Sequence, residues 1–151
     1  MDTKNFIINE NCLLRINLNT ISLNYKKIQK NISKTSTVSA VLKSNAYGLG
    51  LSNIAAKLIK VGCNSFFLNS IKETLHLRKI CKNSDIYLLN GLVNINHKEI
   101  KEVLDKNIIP VINSLEELEK LIKLKKNLSD CLKISLHFDT GINRLGIRNN
   151  E

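Results

Sequence analysis

The segment Ala40-Val-Leu-Lys-Ser-Asn-Ala-Tyr-Gly-Leu-Gly50 sets Lys43 at the end of an apolar run and ahead of a glycine-containing turn. A partly desolvated amine is a better nucleophile and Schiff-base former than one in open water. The turn Gly48-Leu49-Gly50 leads into a helical segment, whose first N–H groups favour an anion. A plainer reading stands beside this one: a lysine snorkelling at a strand end next to an ordinary turn. A second segment has the same form. Leu136-His-Phe-Asp-Thr-Gly-Ile-Asn-Arg-Leu-Gly146 ends an apolar run in a polar cluster holding His137, Asp139 and Arg144. Arginine offers a fixed fork of donors to a carboxylate or a phenolate oxygen. Here too the plain alternative stays open, with Asp139 capping a turn and Arg144 paired to a surface acid.

Both segments belong to one repeating pattern. Short apolar runs at Val38–Lys43, Ser65–Asn69, Ile86–Leu89, Ile108–Ile112 and Leu132–Phe138 read as strands, and their starts recur about every two dozen residues. Segments of helical periodicity lie between them: Asn53–Val61, Ile71–Cys81, Lys98–Lys106 and Ser114–Lys126. The last opens on Ser-Leu-Glu-Glu, which predicts a capping box. A helix over Ile21–Ile32 and a short strand over Leu13–Leu18 precede the repeat. Such a β/α repeat predicts a parallel sheet with helical crossovers, either open and doubly wound or closed as a (β/α)8 barrel. Near-uniform spacing and short strands favour the barrel, whose strands carry the active site at their carboxyl ends. A complete barrel takes about 250 residues. Five strands over 151 residues therefore read as one partial domain, 1–151, the first portion of a TIM-type barrel.

Composition narrows the function classes. Hydrophobic residues make up 43% and charged residues 24%, a globular balance. No apolar run approaches the ~20 residues of a membrane span. Residues Met1 to Asn11 are polar and mixed, without the basic start and apolar stretch of a signal peptide, so a cytoplasmic location is expected. The formal charge is +10, but lysines are scattered and aromatics are only 5%, which argues against a nucleic-acid surface. Cys12, Cys63, Cys81 and Cys131 are far apart and form no CxxC, so they read as core thiols and no metal site is expected.

The two polar segments together resemble the alanine racemase family. Its first signature has the general form Val-(Val/Leu)-Lys-Ala-Asn-Ala-Tyr-Gly-His-Gly, against Val41-Leu-Lys-Ser-Asn-Ala-Tyr-Gly-Leu-Gly50 here. The second, Asp-Thr-Gly-Met-(Asn/Gly)-Arg-Leu-Gly, stands here as Asp139-Thr-Gly-Ile-Asn-Arg-Leu-Gly146. The opening Leu14-Arg-Ile-Asn-Leu-Asn-Thr-Ile-Ser-Leu-Asn24 is similar to the family's start, and the likeness runs from Leu13 to Ile147. The resemblance implies a pyridoxal 5'-phosphate enzyme that interconverts L- and D-alanine for the cell wall. It implies Lys43 as the lysine that carries the cofactor and serves as a catalytic base. It implies Tyr47 as a ligand of the cofactor phosphate, and Arg144 beside both the cofactor's phenolic oxygen and the substrate carboxylate.

The departures carry expectations of their own. Leu49 replaces the family's usual histidine, Ser44 its alanine, and His137 a lysine that many members carbamylate and pair with the arginine. A neutral imidazole with an accepting nitrogen is the form that still bonds Arg144. The family's later strands and its β-rich C-terminal domain, which brings the second base across a dimer, are expected to be absent. The chain is thus read as an N-terminal racemase fragment, inactive alone, completed by a separate C-terminal polypeptide or a homodimer partner. The other readings are a non-catalytic remnant and a pyridoxal-phosphate-binding module without racemase activity.

Overall fold

The computed structural model describes residues 3–9, 12–93, 95–125 and 132–148. The chain opens with an antiparallel pair, β1 (Thr3–Asn9) and β2 (Cys12–Asn17). Asn17 then caps α1 (Leu18–Lys30), its side chain accepting from the N–H groups of Asn19 and Thr20. From there the chain alternates: β3 (Ala40–Val41), a short turn α2 (Lys43–Tyr47), α3 (Leu51–Lys60), β4 (Ser65–Leu68) and α4 (Ile71–Ile80). It continues through β5 (Asp85–Leu88), α5 (His97–Asp105), β6 (Ile108–Ile112), α6 (Leu115–Lys125) and β7 (Ser135–Leu136).

The five strands β3 to β7 form one parallel sheet in chain order, with no strand skipped. A doubly wound sheet reverses its order at a switch point. This one does not, and right-handed crossovers then keep the helices on a single face. Among the two architectures open from the sequence, the structure is the partial barrel. Pleating separates the faces. Phe66, Leu68, Ile86, Leu88 and Ile108 are buried in one cluster with Ile54, Ala55, Leu58, Leu77 and Val103 of the helices. The residues between them form the other, inner face, where Val41, Phe67, Tyr87 and Ile109 stand in register. Phe67 and Tyr87 stack there, with ring centroids 4.4 Å apart.

Three differences from the sequence reading have physical causes. The run Thr3–Asn9 is a strand, because Cys12–Asn17 offers it an antiparallel partner. The strands at the two ends of the sheet are far shorter than Val38–Lys43 and Leu132–Phe138, since each has a neighbour on one side only. The Ser114 box forms by half: the Glu117 N–H donates to Ser114 Oγ at 3.2 Å, but the Glu117 carboxylate goes to the Asn113 N–H. The reciprocal box forms instead at α5, between Asn96 and Glu99. Cys63 and Cys81 are buried free thiols, pushed up from the usual thiol range by burial. The Cys12 side chain and Cys131 lie outside the described residues. No helix among the described residues is long and apolar enough to cross a membrane.

Arg78 ties the amino ends of the strands together. Its guanidinium donates to the carbonyls of Lys106 (2.9 Å), Cys81 (3.1 Å), Lys82 (3.0 Å), Ser84 (2.8 Å) and Asn107 (2.8 Å). One side chain thereby joins the α4–β5 turn to the α5–β6 turn. Arg78→Met keeps the apolar stem and removes the fork, and is expected to cost about 2–4 kcal/mol. Urea unfolding of the two proteins measures it, and a loss below about 0.5 kcal/mol would mean that water replaces the guanidinium at these carbonyls.

Candidate functional site

Lys43 lies two residues beyond β3, at the carboxyl end of the strand, after Leu42, which is buried among the helices. Lys43 is half-buried. The chain then turns in an unusual way. Ser44, Asn45, Ala46 and Tyr47 all have φ of 54–55°. Left-handed backbone costs roughly 1–2 kcal/mol for each residue with a Cβ. The surroundings hold it in place. The Asn45 N–H donates to Glu73 Oε1 at 2.8 Å, and Asn45 Oδ1 accepts from the Leu51 N–H at 2.8 Å. Gly48 closes the turn at φ 83°, its N–H bonded to the Ser44 carbonyl. The helix start expected after Gly50 is present at Leu51, with one of its free N–H groups taken by Asn45. Tyr47 projects from this turn and is 62% exposed.

The second segment begins on β7 and closes on itself. Phe138 bridges Ile147, the Ile147 N–H donates to the His137 carbonyl at 2.8 Å, and the Asp139 N–H to the Ile147 carbonyl at 2.9 Å. Gly146 sits in the neck, where a Cβ would stand 2.8 Å from the Asp139 nitrogen. Asp139 Oδ1 accepts from the N–H groups of Gly141 (3.0 Å) and Asn143 (3.1 Å). These amides, Gly141 first, hold its carboxyl below the usual range. Asp139 therefore takes the turn-capping role. Arg144 is exposed on the same loop. The one ion pair among the described residues joins Lys133 and Asp85, so neither Lys43 nor Arg144 is ion-paired there.

Between these segments lies a group the sequence did not single out. Asn113 and Glu117 are buried, at 6% and 5% exposure. Glu117 Oε2 accepts from the Asn113 N–H at 2.8 Å, and Oε1 has no partner among the described residues. Gly91 makes room for them: a Cβ there would stand 2.5 Å from the Val111 carbonyl oxygen and 2.7 Å from Glu117 Oε2. Burial pushes the Glu117 carboxyl up, against the pull of the Asn113 and Leu92 amides. The signal available in the sequence was position. Asn113 directly follows β6, at the same carboxyl end of the sheet as Lys43, and barrel chemistry gathers at those ends. His76 and His97, by contrast, lie on the helices α4 and α5. A hollow of about 410 Å³ lies at the opposite, amino end of the strands, beside Arg78 and Asp85, away from all of these residues.

Residues 16–151 match the family described as alanine racemase, N-terminal domain. The chain belongs to the alanine racemase family. It is 40% identical over 141 residues to an alanine racemase of Rickettsia prowazekii, a match covering 93% of this chain and 34% of that protein. To an alanine racemase of Rickettsia akari it is 42% identical over 144 residues, covering 93% and 39%. Among solved structures, the alanine racemase of Bartonella henselae with covalently bound pyridoxal phosphate superposes with a TM-score of 0.82 at 34% identity, covering 90% of this chain and 39% of that one. A histidine racemase from Leuconostoc mesenteroides superposes at 0.71 with 26% identity, covering 86% and 34%. The chain thus spans between a third and two fifths of the length of these relatives.

Glu117 has a testable signature. The folded state holds its proton more tightly than the unfolded chain does, so this group's contribution to stability falls as pH rises above about 4.5. Glu117→Gln removes that dependence while keeping an oxygen for the Asn113 N–H. The Tm difference between wild type and variant is expected to shift in favour of the variant from about pH 4.5 to about pH 7.5. A difference that stays constant over this range, by thermal unfolding at each pH, would show that the carboxylate is solvated.

Proposed function

We propose that this chain supplies the lysine-bearing, N-terminal part of a pyridoxal-phosphate-dependent alanine racemase, a cytoplasmic enzyme that provides D-alanine for the cell wall. The observation that carries this reading is the place of Lys43: half-buried, at the carboxyl end of a barrel strand and ahead of a strained turn. The donor set fits such a cofactor. An amine able to form an imine, a phenol and a guanidinium occupy the two rim segments, as Lys43, Tyr47 and Arg144. The cofactor, when bound, supplies an electron sink that makes the Cα proton of an attached amino acid acidic.

In this reading Lys43 would hold the cofactor and would be the amine that takes or returns the proton at Cα on one face. Tyr47 bonds the phosphate through its hydroxyl. The Arg144 fork binds the substrate carboxylate and faces the cofactor's phenolic oxygen. Racemisation needs a base on each face of Cα. The second base, and the strands that close the barrel, come from segments outside these 151 residues. Alanine is the substrate favoured by the 40–42% identity to alanine racemases. The likeness to a histidine racemase shows that the same architecture also serves a larger side chain.

Trapping tests this. The purified chain is incubated with pyridoxal phosphate, reduced with borohydride and mapped by mass spectrometry, with the other 18 lysines as the internal control. Selective labelling of Lys43 is expected, together with no D-alanine turnover by the 151 residues alone. Labelling spread over many lysines, or none, would replace this reading by that of a non-catalytic remnant. Selective labelling that stays without turnover after the missing segments are supplied would favour a cofactor-binding module.

A further inference from the structure

The hydrogen bonds around Asn113 determine which ring nitrogen of His137 carries a hydrogen. Both N–H bonds of the Asn113 amide are used, one to the Leu89 carbonyl at 3.1 Å and one to the Val111 carbonyl at 2.9 Å. Carbonyls only accept, so the amide has one orientation, with Oδ1 facing away from them. Oδ1 lies 2.8 Å from His137 Nδ1. An amide oxygen only accepts, so Nδ1 must carry the hydrogen. In the neutral ring Nε2 is then the bare nitrogen. The Asn113 backbone is fixed in turn by Glu117, whose carboxylate accepts its N–H, and Gly91 leaves that carboxylate its space.

His137 also holds a defined place. Its N–H donates to the Ile112 carbonyl and its carbonyl accepts from Ile147, so it anchors the neck of the loop that carries Arg144. The ladder pairs Val111 with Ser135, and two residues on Asn113 stands beside His137 on the same face.

We propose that Asn113, buttressed by Glu117, is a positioning residue that fixes His137 as the Nδ1–H tautomer, leaving Nε2 as the ring's hydrogen-bond acceptor at the rim. The inference rests on the racemase reading only for its purpose. A guanidinium has five donors and no acceptor, so His137 can serve Arg144 only through a bare ring nitrogen. The Asn113 amide makes that nitrogen Nε2 rather than Nδ1.

The test needs neither cofactor nor turnover, so its failure is separate from a failure of the racemase reading. The full chain is labelled with 15N-histidine, and long-range proton–nitrogen spectra are recorded at about pH 8, where imidazole is ordinarily neutral. Three histidines give three ring patterns, and His137→Gln assigns the one that disappears. The expected pattern places the hydrogen on Nδ1, the form less populated by a free imidazole. Asn113→Ala is expected to exchange the two nitrogen shifts, as the ring returns to the Nε2–H form. An Nε2–H ring in the wild-type chain overturns the proposal, whatever the variants do. So does an Asn113→Ala protein that folds and keeps the wild-type pattern.

Discussion

The alternation of side chains along β3 to β7 is the constraint on which the rest of this molecule depends. Four parallel ladders bring Val41, Phe67, Tyr87 and Ile109 into one row and Ser135 into the next. A slip of one residue in any ladder would exchange its two faces. Phe66 or Ile86, now fully buried, would then turn away from the helices. Each such side chain is worth about 1.5–3 kcal/mol of burial, so the helices fix the register. The same ladders bring Lys43 to the carboxyl end of β3 and His137 to that of β7, and a lysine with no ion pair among the described residues remains available for chemistry.

The carboxyl ends of the strands show how the structure offsets the costs of that placement. Beside β3 the cost is conformational: four consecutive residues with a Cβ in the left-handed region. Glu73 offsets it by binding the Asn45 N–H from α4, and Asn45 by binding the first N–H of α3. Beside β6 the cost is electrostatic, a carboxyl buried at Glu117 with one oxygen unpartnered among the described residues. Both expenses fall at the end of the sheet where barrels do chemistry, and strain of this kind persists where the surrounding structure over-determines it. At the amino end, by contrast, Arg78 satisfies five carbonyls, which is the arrangement of a stabilising end.

How far the sequence could be read follows from the range of each signal. Hydrophobic periodicity is local and strong, so the five helices of the repeat and its lead-in fall within a few residues of where Leu58, Leu77, Val103 and Leu121 place them. The strand β6, five buried residues, was legible in full. What depends on a partner elsewhere was not. The strand Thr3–Asn9 is defined by its pairing, and the two-residue edge strands by the lack of a second neighbour. The left-handed turn at Ser44–Tyr47 contains only one residue, Asn45, that favours such backbone. Glu117 was legible as a helix-start residue, yet its side chain reaches one residue further back than a capping box requires. Lys43, Tyr47 and Arg144 stood out in the sequence for their family pattern. Asn113 belongs to no pattern, and its pairing with Glu117 is visible only as geometry.

Some of the apolar residues that remain exposed follow the same geography. Val41 at 45%, Leu136 at 46% and Phe138 at 60% lie on or beside the edge strands, while Tyr47 at 62%, Leu145 at 42% and Ile142 at 79% lie in the two rim segments. A parallel sheet is normally covered on both faces, and its edges are normally paired or blunted. Here the helix-covered face meets that rule, with side chains buried to 0–2% at Phe66, Leu68, Ile86, Leu88 and Ile108. The edges do not meet it. Scattered exposed apolar residues need no explanation, but these gather at the edge strands and at the carboxyl end of the sheet. The edges and rim that carry Lys43 and Arg144 are therefore where the sheet leaves apolar side chains open to water.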